Sequence, residues 1–184
     1  MASGGGTNLQ ALIDASEGGQ LSAELALVIS NNSGSGALER ARVAGITAAH
    51  ISSRTHEDPD RALLSALAEQ SCTVVVLAGY MKKLPAALIE AFPGRIVNIH
   101  PAPLPRFGGQ GMFGDHVHER VLSAGVDSSG PTVHIVTGEY DEGPALAHRP
   151  VPVLPDDVVA TLKARIQAAE HDLYWRVIEE HFCS

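Results

Sequence analysis

Asn98 and His100 stand two residues apart in Arg95-Ile96-Val97-Asn98-Ile99-His100-Pro101. The apolar residues around them suit a strand. In a strand, alternate side chains share a face, so the amide and the imidazole point one way while Val97 and Ile99 point the other. Pro101 cannot donate to a ladder, so the strand ends there, and Ala102-Pro103-Leu104-Pro105 carries the chain away. An amide can hold a developing oxyanion, and an imidazole can move a proton near neutral pH. A strand-end histidine satisfied by local hydrogen bonds is the plainer alternative. The pairing on one face, beside a proline-fixed turn, favours chemistry.

Three other segments carry reactive or ligand-binding residue types. Ser3-Gly4-Gly5-Gly6-Thr7-Asn8 precedes a helical pattern. Glycines let backbone amides approach a phosphate, and a helix N-terminus favours negative charge. The same residues also suit a flexible tail ending in a cap. The segment is not a G-x-x-x-x-G-K-[ST] loop, which disfavours a nucleoside triphosphatase. Glu139-Tyr140-Asp141-Glu142-Gly143-Pro144 reads as an acidic loop between strands, or as the source of a carboxylate that orients His100 and raises its pKa. Asp115, His116, His118 and Glu119 have no completing Cys/His set. Alternate positions on a helix point in different directions, so these are expected to be surface residues, and no metal is expected.

The elements that must position these groups alternate. Helical spacing covers 9–15, 37–44, 58–70, 85–91 and 116–124, with Asp58-Pro59 a clear helix start. Apolar runs at 25–29, 48–51, 73–78 and 95–99 read as strands, that at 73–78 being apolar on both faces and therefore central. Residues 131–137 and 145–153 read as a strand pair. A long helix follows from 156, with Val159, Leu162, Ile166, Leu173, Val177 and Ile178 as its apolar stripe. The fold expected is α/β: a Rossmann-like open, mostly parallel twisted sheet with helices on both faces. In such sheets ligands bind at the carboxyl ends of the strands, where Asn98 and His100 lie.

Composition narrows the classes. A length of 184 residues suits one domain, spanning 1–184, with its own core. A net charge of −8 and the absence of a basic stripe argue against nucleic-acid binding. Apolar runs are too short to cross a bilayer and no secretory leader is expected, so the location expected is cytoplasmic. Cys72 and Cys183 are expected to be free thiols.

Together, four segments resemble the phosphoribosylglycinamide formyltransferases of the folate-dependent formyltransferase superfamily. They are the glycine loop with Leu9-Gln10, Val75-Val76-Leu77-Ala78-Gly79-Tyr80-Met81, Asn98-Ile99-His100-Pro101 with Leu104-Pro105, and Thr132-Val133-His134 through Asp141-Glu142-Gly143-Pro144. Residues 167–174, with Glu170-His171, also fit. The resemblance spans nearly the whole chain and implies formyl transfer from 10-formyltetrahydrofolate, a co-substrate, to the amine of N1-(5-phospho-D-ribosyl)glycinamide in purine synthesis. It implies no metal and small-molecule partners, in a monomer or homodimer. By the same resemblance Asn98, His100 and Asp141 are catalytic, with Asp141 keeping His100 protonated. Gly6, Thr7, Asn8 and Glu170 would take the ribonucleotide. Met81, Lys82, Lys83 and Leu84 would face Thr137, Gly138, Glu139, Tyr140 and Asp141 across a folate pocket that Asn98 also borders. Formyltetrahydrofolate hydrolase and methionyl-tRNA formyltransferase fit less well, since each is expected to carry an extra domain.

Three departures from that family bear on the site. The apolar strand expected ahead of the glycine loop is missing, which should open the core and loosen the loop. His56 stands where many members have an arginine near the folate tail, with Arg54 and Arg61 nearby. Residues 107–114 form a longer, glycine-rich loop, either a mobile flap beside the site or a tolerated insertion.

Overall fold

The computed structural model describes residues 1–183. Its elements run α1 (Thr7–Glu17), β1 (Leu27–Ser30), α2 (Gly36–Val43), β2 (Thr47–His50), α3 (Pro59–Glu69), β3 (Val75–Leu77), α4 (Ala86–Ala91), β4 (Ile96–His100), α5 (Asp115–Ser123), β5 (Ser128–Ser129), β6 (Thr132–Ile135), β7 (Ala145–His148), β8 (Val151–Pro152) and α6 (Val159–Phe182). The α/β alternation of the first half is present, with β1 parallel to β2 and β3 parallel to β4. The second half turns antiparallel, as β6 pairs with β4 on one side and β7 on the other.

The expected strand over 145–153 divides in two. Residues of β7 pair with β6, whereas β8 pairs with β5 in a separate ribbon. Arg149-Pro150 separates them, and Pro150 has no N–H to give a continuous ladder.

Residues 1–3 lie between β1 and β3 and join the two parallel pairs. The Met1 amine donates to the Val76 carbonyl at 2.6 Å and the Met1 carbonyl accepts from Ala78 N at 2.8 Å. Ala2 N donates to Ile29 O and Ser3 N to Gly79 O, each at 3.0 Å. This short stub fixes the start of the glycine loop at the carboxyl ends of two strands.

Alternation on β4 sorts the core. Val97 and Ile99 pack with α1 and α6 in a cluster that includes Leu12, Leu173 and Val177. Ile96 faces the opposite layer, with Leu63 and Leu67 of α3 and Leu88 of α4. The α6 stripe is as read from spacing, save that Val159 is only half-buried and Glu170 and Tyr174 join the buried face. The Tyr174 hydroxyl bonds the Leu77 and Val97 carbonyls, at 2.8 and 3.0 Å. It ties α6 under β3 and β4 at the level of the site. His118 is a correction. It is 3% exposed, packed on the inner face of α5 with Val117 and Val121, while His116 points to solvent and meets Glu119.

Candidate active site

The strand β4 delivers Asn98 and His100 to one side of a cleft of about 700 Å³ at the carboxyl end of the sheet. Three groups contact them there, the Phe107 carbonyl, the Asp141 carboxylate and the His134 ring. His100 Nε2 lies 2.7 Å from the Phe107 carbonyl. Its Nδ1 lies 3.6 Å from Asp141 Oδ2. The Asp141 carboxylate also takes the Gly109 amide at 3.0 Å and stands 3.5 Å from His134 Nε2. His134 Nδ1 lies 3.0 Å from the Ile135 carbonyl and its Nε2 lies 3.1 Å from Asn98 Nδ2. Asn98 and His134 are direct partners across the β4–β6 pair.

Burial is the largest influence on His100 and pushes its pKa down, more than Asp141 and the Phe107 carbonyl push it up. Burial thus works against the expectation that Asp141 keeps this ring protonated. Asp141 itself is pushed up by partial burial but pulled down further by the His134 side chain, the His100 ring and the Gly109 amide, and ends below the usual carboxylate range. It is an ionised acceptor. In a charged His100 ring each N–H would face an acceptor, Nδ1–H the carboxylate and Nε2–H the Phe107 carbonyl.

The glycine loop forms the neighbouring wall. Gly6 caps α1 at φ +74°, in the left-handed region that favours glycine, and no side chain caps the helix. A Cβ on Gly6 would come within 2.8 Å of the Ala37 Cα, so loop and α2 touch through glycine alone. The first-turn amides are left free for an anion. Gln167 Nε2 reaches Thr7 Oγ1 at 2.6 Å, and Asn8 Nδ2 reaches Glu170 Oε2 at 3.1 Å, so α6 is locked to this helix start. Asn8 Oδ1 is buried with no partner, and it lines the cleft. Glu170 is buried and its pKa rises to about 7, desolvation outweighing the Asn8 hydrogen bond.

The residues expected at a folate pocket divide. Met81, Lys82, Tyr140 and Asp141 line the main cleft. Lys82, Lys83, Leu84 and residues 137–141 line a smaller cavity of about 80 Å³, which Asn98 and His134 also border. The two cavities share Tyr80, Lys82, Asn98, Tyr140 and Asp141. Lys83 Nζ stands 5.8 Å from the Tyr140 ring centre. His56 is not brought to either cavity. It bonds Thr55 Oγ1 in the loop before α3. The 107–114 loop does reach the site, since its Gly109 to Gly114 line the cleft and its backbone holds His100 and Asp141.

Two contributors were not singled out as site residues from the sequence, His134 and the Phe107 carbonyl. His134 was discoverable, because β4–β6 pairing sets it opposite Asn98. A carbonyl carries no sequence signal.

Residues 1–178 match the family model described as formyl transferase. The chain belongs to the formyl transferase family. It is 39% identical over 181 residues to phosphoribosylglycinamide formyltransferase of Escherichia coli, covering 97% of this chain and 83% of that protein. It is 39% identical to the chloroplastic phosphoribosylglycinamide formyltransferase of Arabidopsis thaliana, covering 96% of this chain. The chain spans 62% of that plant protein's length. The crystal structure of phosphoribosylglycinamide formyltransferase from Bacillus halodurans superposes with a TM-score of 0.90 at 36% identity, covering all of this chain and 94% of that one. No helix among the described residues is long and apolar enough to cross a membrane.

Proposed function

We propose that this chain transfers a formyl group from 10-formyltetrahydrofolate to the amine of N1-(5-phospho-D-ribosyl)glycinamide. The observation that carries the reading is the convergence, on one cleft, of Asn98, His100 and Asp141 with the uncapped start of α1. Relatives bearing that activity in their names align over nearly all of the chain.

The sugar phosphate sits on the amides of Gly6, Thr7 and Asn8. Glu170, held by Asn8, meets the ribose or glycinamide end. The folate ring lies in the arm of the cleft between Met81–Leu84 and Thr137–Asp141. The substrate amine attacks the formyl carbon, and the carbon–oxygen double bond becomes a tetrahedral oxyanion. The amide of Asn98, pinned by His134, stabilises that charge. His100 takes up the proton that the attacking amine loses and delivers it to the departing folate nitrogen, and Asp141 steadies the ring while it is charged. The C–N bond to folate then breaks. Transfer needs no covalent enzyme intermediate.

Formyl transfer from 10-formyldideazafolate to the ribonucleotide tests this. Asn98→Ala should lower kcat by about 10²–10³, the loss of about 2.7–4 kcal/mol that one oxyanion donor supplies. His100→Ala and Asp141→Ala should fall at least as far. A folded chain without transfer to the ribonucleotide would overturn the reading. Formate release in its place would support water as the acceptor.

A further inference from the structure

The turn Phe107-Gly108-Gly109 touches both partners of the proton-handling pair at once. Its Phe107 carbonyl lies 2.7 Å from His100 Nε2, and its Gly109 N–H donates to Asp141 Oδ2 at 3.0 Å. The same Oδ2 lies 3.6 Å from His100 Nδ1, beyond hydrogen-bond reach. The two ring nitrogens are therefore unequally placed. A carbonyl oxygen can only accept, so the short contact requires a proton on Nε2. Removing that proton would set two lone pairs against each other at 2.7 Å, on a ring only 3% exposed. The proton on Nδ1 is easier to lose. Asp141 keeps the Gly109 amide on Oδ2, and its other oxygen stands 3.5 Å from His134 Nε2. His100 and Asp141 both border the cleft, so a substrate group can reach the gap between them.

The carbonyl is held in place by the rest of its residue. Phe107 N donates to the Pro103 carbonyl at 3.1 Å, and Gly108 N to that of Pro105 at 3.2 Å. The Phe107 side chain is buried with Val117 and Val121 of α5 and Leu162 and Ile166 of α6. Gly108 lets the turn press on the carboxylate, since a Cβ there would come within 2.9 Å of the Asp141 Cβ. A carbonyl so anchored has little freedom to rotate away when the ring changes charge.

Building on the reading of His100 as the proton carrier, we propose that Phe107 is a positioning residue, whose anchored carbonyl keeps a proton on His100 Nε2 throughout and makes Nδ1 the working nitrogen. During transfer the proton lost by the attacking amine goes to the Nδ1 lone pair of the neutral ring. The charged ring gives that proton to the folate nitrogen as the C–N bond breaks, and the lone pair returns to Nδ1. Nε2 exchanges nothing. This inverts the serine-hydrolase triad, in which a carboxylate takes the Nδ1 proton and leaves Nε2 to act. Asp141, His134 and, from α5, His118 are the titratable groups whose charge reaches the ring.

The test uses the free chain with 15N-labelled histidine, followed by NMR as pH is raised. Signals missing from His100→Ala identify the ring. In the neutral ring the proton should sit on Nε2, with Nδ1 in the range of an unprotonated nitrogen. A neutral ring carrying its proton on Nδ1 would overturn the proposal. Phe107→Ala removes the anchor. Its Nε2–H should exchange with solvent at least about tenfold faster. Its kcat should fall on the order of 10²-fold, with KM for the ribonucleotide unchanged because the glycine loop forms the other wall. Phe107→Leu, which refills the cluster, should restore both. An Nε2–H as protected in Phe107→Ala as in the unaltered chain would also overturn the proposal. Should Phe107→Ala fail to fold, the titration of the unaltered chain still decides. The tautomer is read without turnover, so a chain that shows it yet transfers nothing would refute the reaction and leave the placement of the proton standing.

Discussion

Glu170 is a carboxyl group whose burial works against its charge. It lies on the buried face of α6, 8% exposed, with Asn8 as its hydrogen-bond partner. Desolvation lifts its pKa from 4.5 to about 7. The sign for stability follows. Below pH 4.5 folded and unfolded chains both hold the proton; between there and pH 7 only the folded chain does; above, neither does. Stability from this group is therefore present at low pH and lost as pH rises through that window, by at most about 3 kcal/mol. The buried histidines act oppositely. Burial lowers the pKa of His100 and His118, so their contribution grows as pH rises toward 6.5. A comparison of variants isolates the carboxyl. Urea unfolding of wild type and Glu170→Gln should show the variant gaining relative stability from pH 5 to 8. A pH-independent difference would mean that Glu170 is ionised in the folded chain throughout. The wedge of Asn8 between Glu170 and the helix start also makes the protonation state of Glu170 felt where the ribonucleotide is proposed to bind.

The loop between β6 and β7 is the element on which the site depends, because it carries Asp141 at φ +57° to a point between two rings. Gly143 makes this possible. A Cβ there would lie 1.7 Å from the Ile135 carbonyl, which no rotamer relieves. Gly143→Ala should push the loop outward and lower kcat on the order of 10²-fold, the scale of a misplacement of about 1 Å. It should cost about 1–3 kcal/mol of stability, as overpacking does. Retained activity in the purified variant would show that Asp141 can be displaced without loss. Local pattern made much of this scale legible. Asp58-Pro59 starts α3 and its side chain caps Arg61 N; the apolar run before Asn98 is β4; the glycine loop leads into α1. What was not legible depends on pairing between distant segments. His134 gains its meaning only from register with β4, and the division of 145–153 only from two different partner strands. The burial of His118 follows from α5 packing on α6, whereas its sequence neighbours Asp115, His116 and Glu119 suggested a solvent face. His56 illustrates the converse, a position suggested by resemblance that the loop before α3 keeps away from both cavities.

At the scale of the whole molecule, the parallel half of the sheet is held together across β1 and β3 by Met1–Ser3 rather than by a full ladder. Helix packing supplies the remaining connection, through α1 and α6 over Leu12, Leu173 and Val177. The two parallel pairs, β1–β2 and β3–β4, should therefore be protected unevenly, and the unevenness has a specific pattern. Amides on the facing edges of β1 and β3, those of Leu27, Val74 and Val76, lack a ladder partner, while those of Val28 and Val75 face a neighbouring strand. Hydrogen exchange measured residue by residue should alternate along β1 and β3, fast at the first set and slow at the second, on the local-opening scale rather than that of global unfolding. On β4, paired on both edges, no such alternation should appear. Uniform protection along β1 and β3 would mean that the two facing edges are already satisfied in solution.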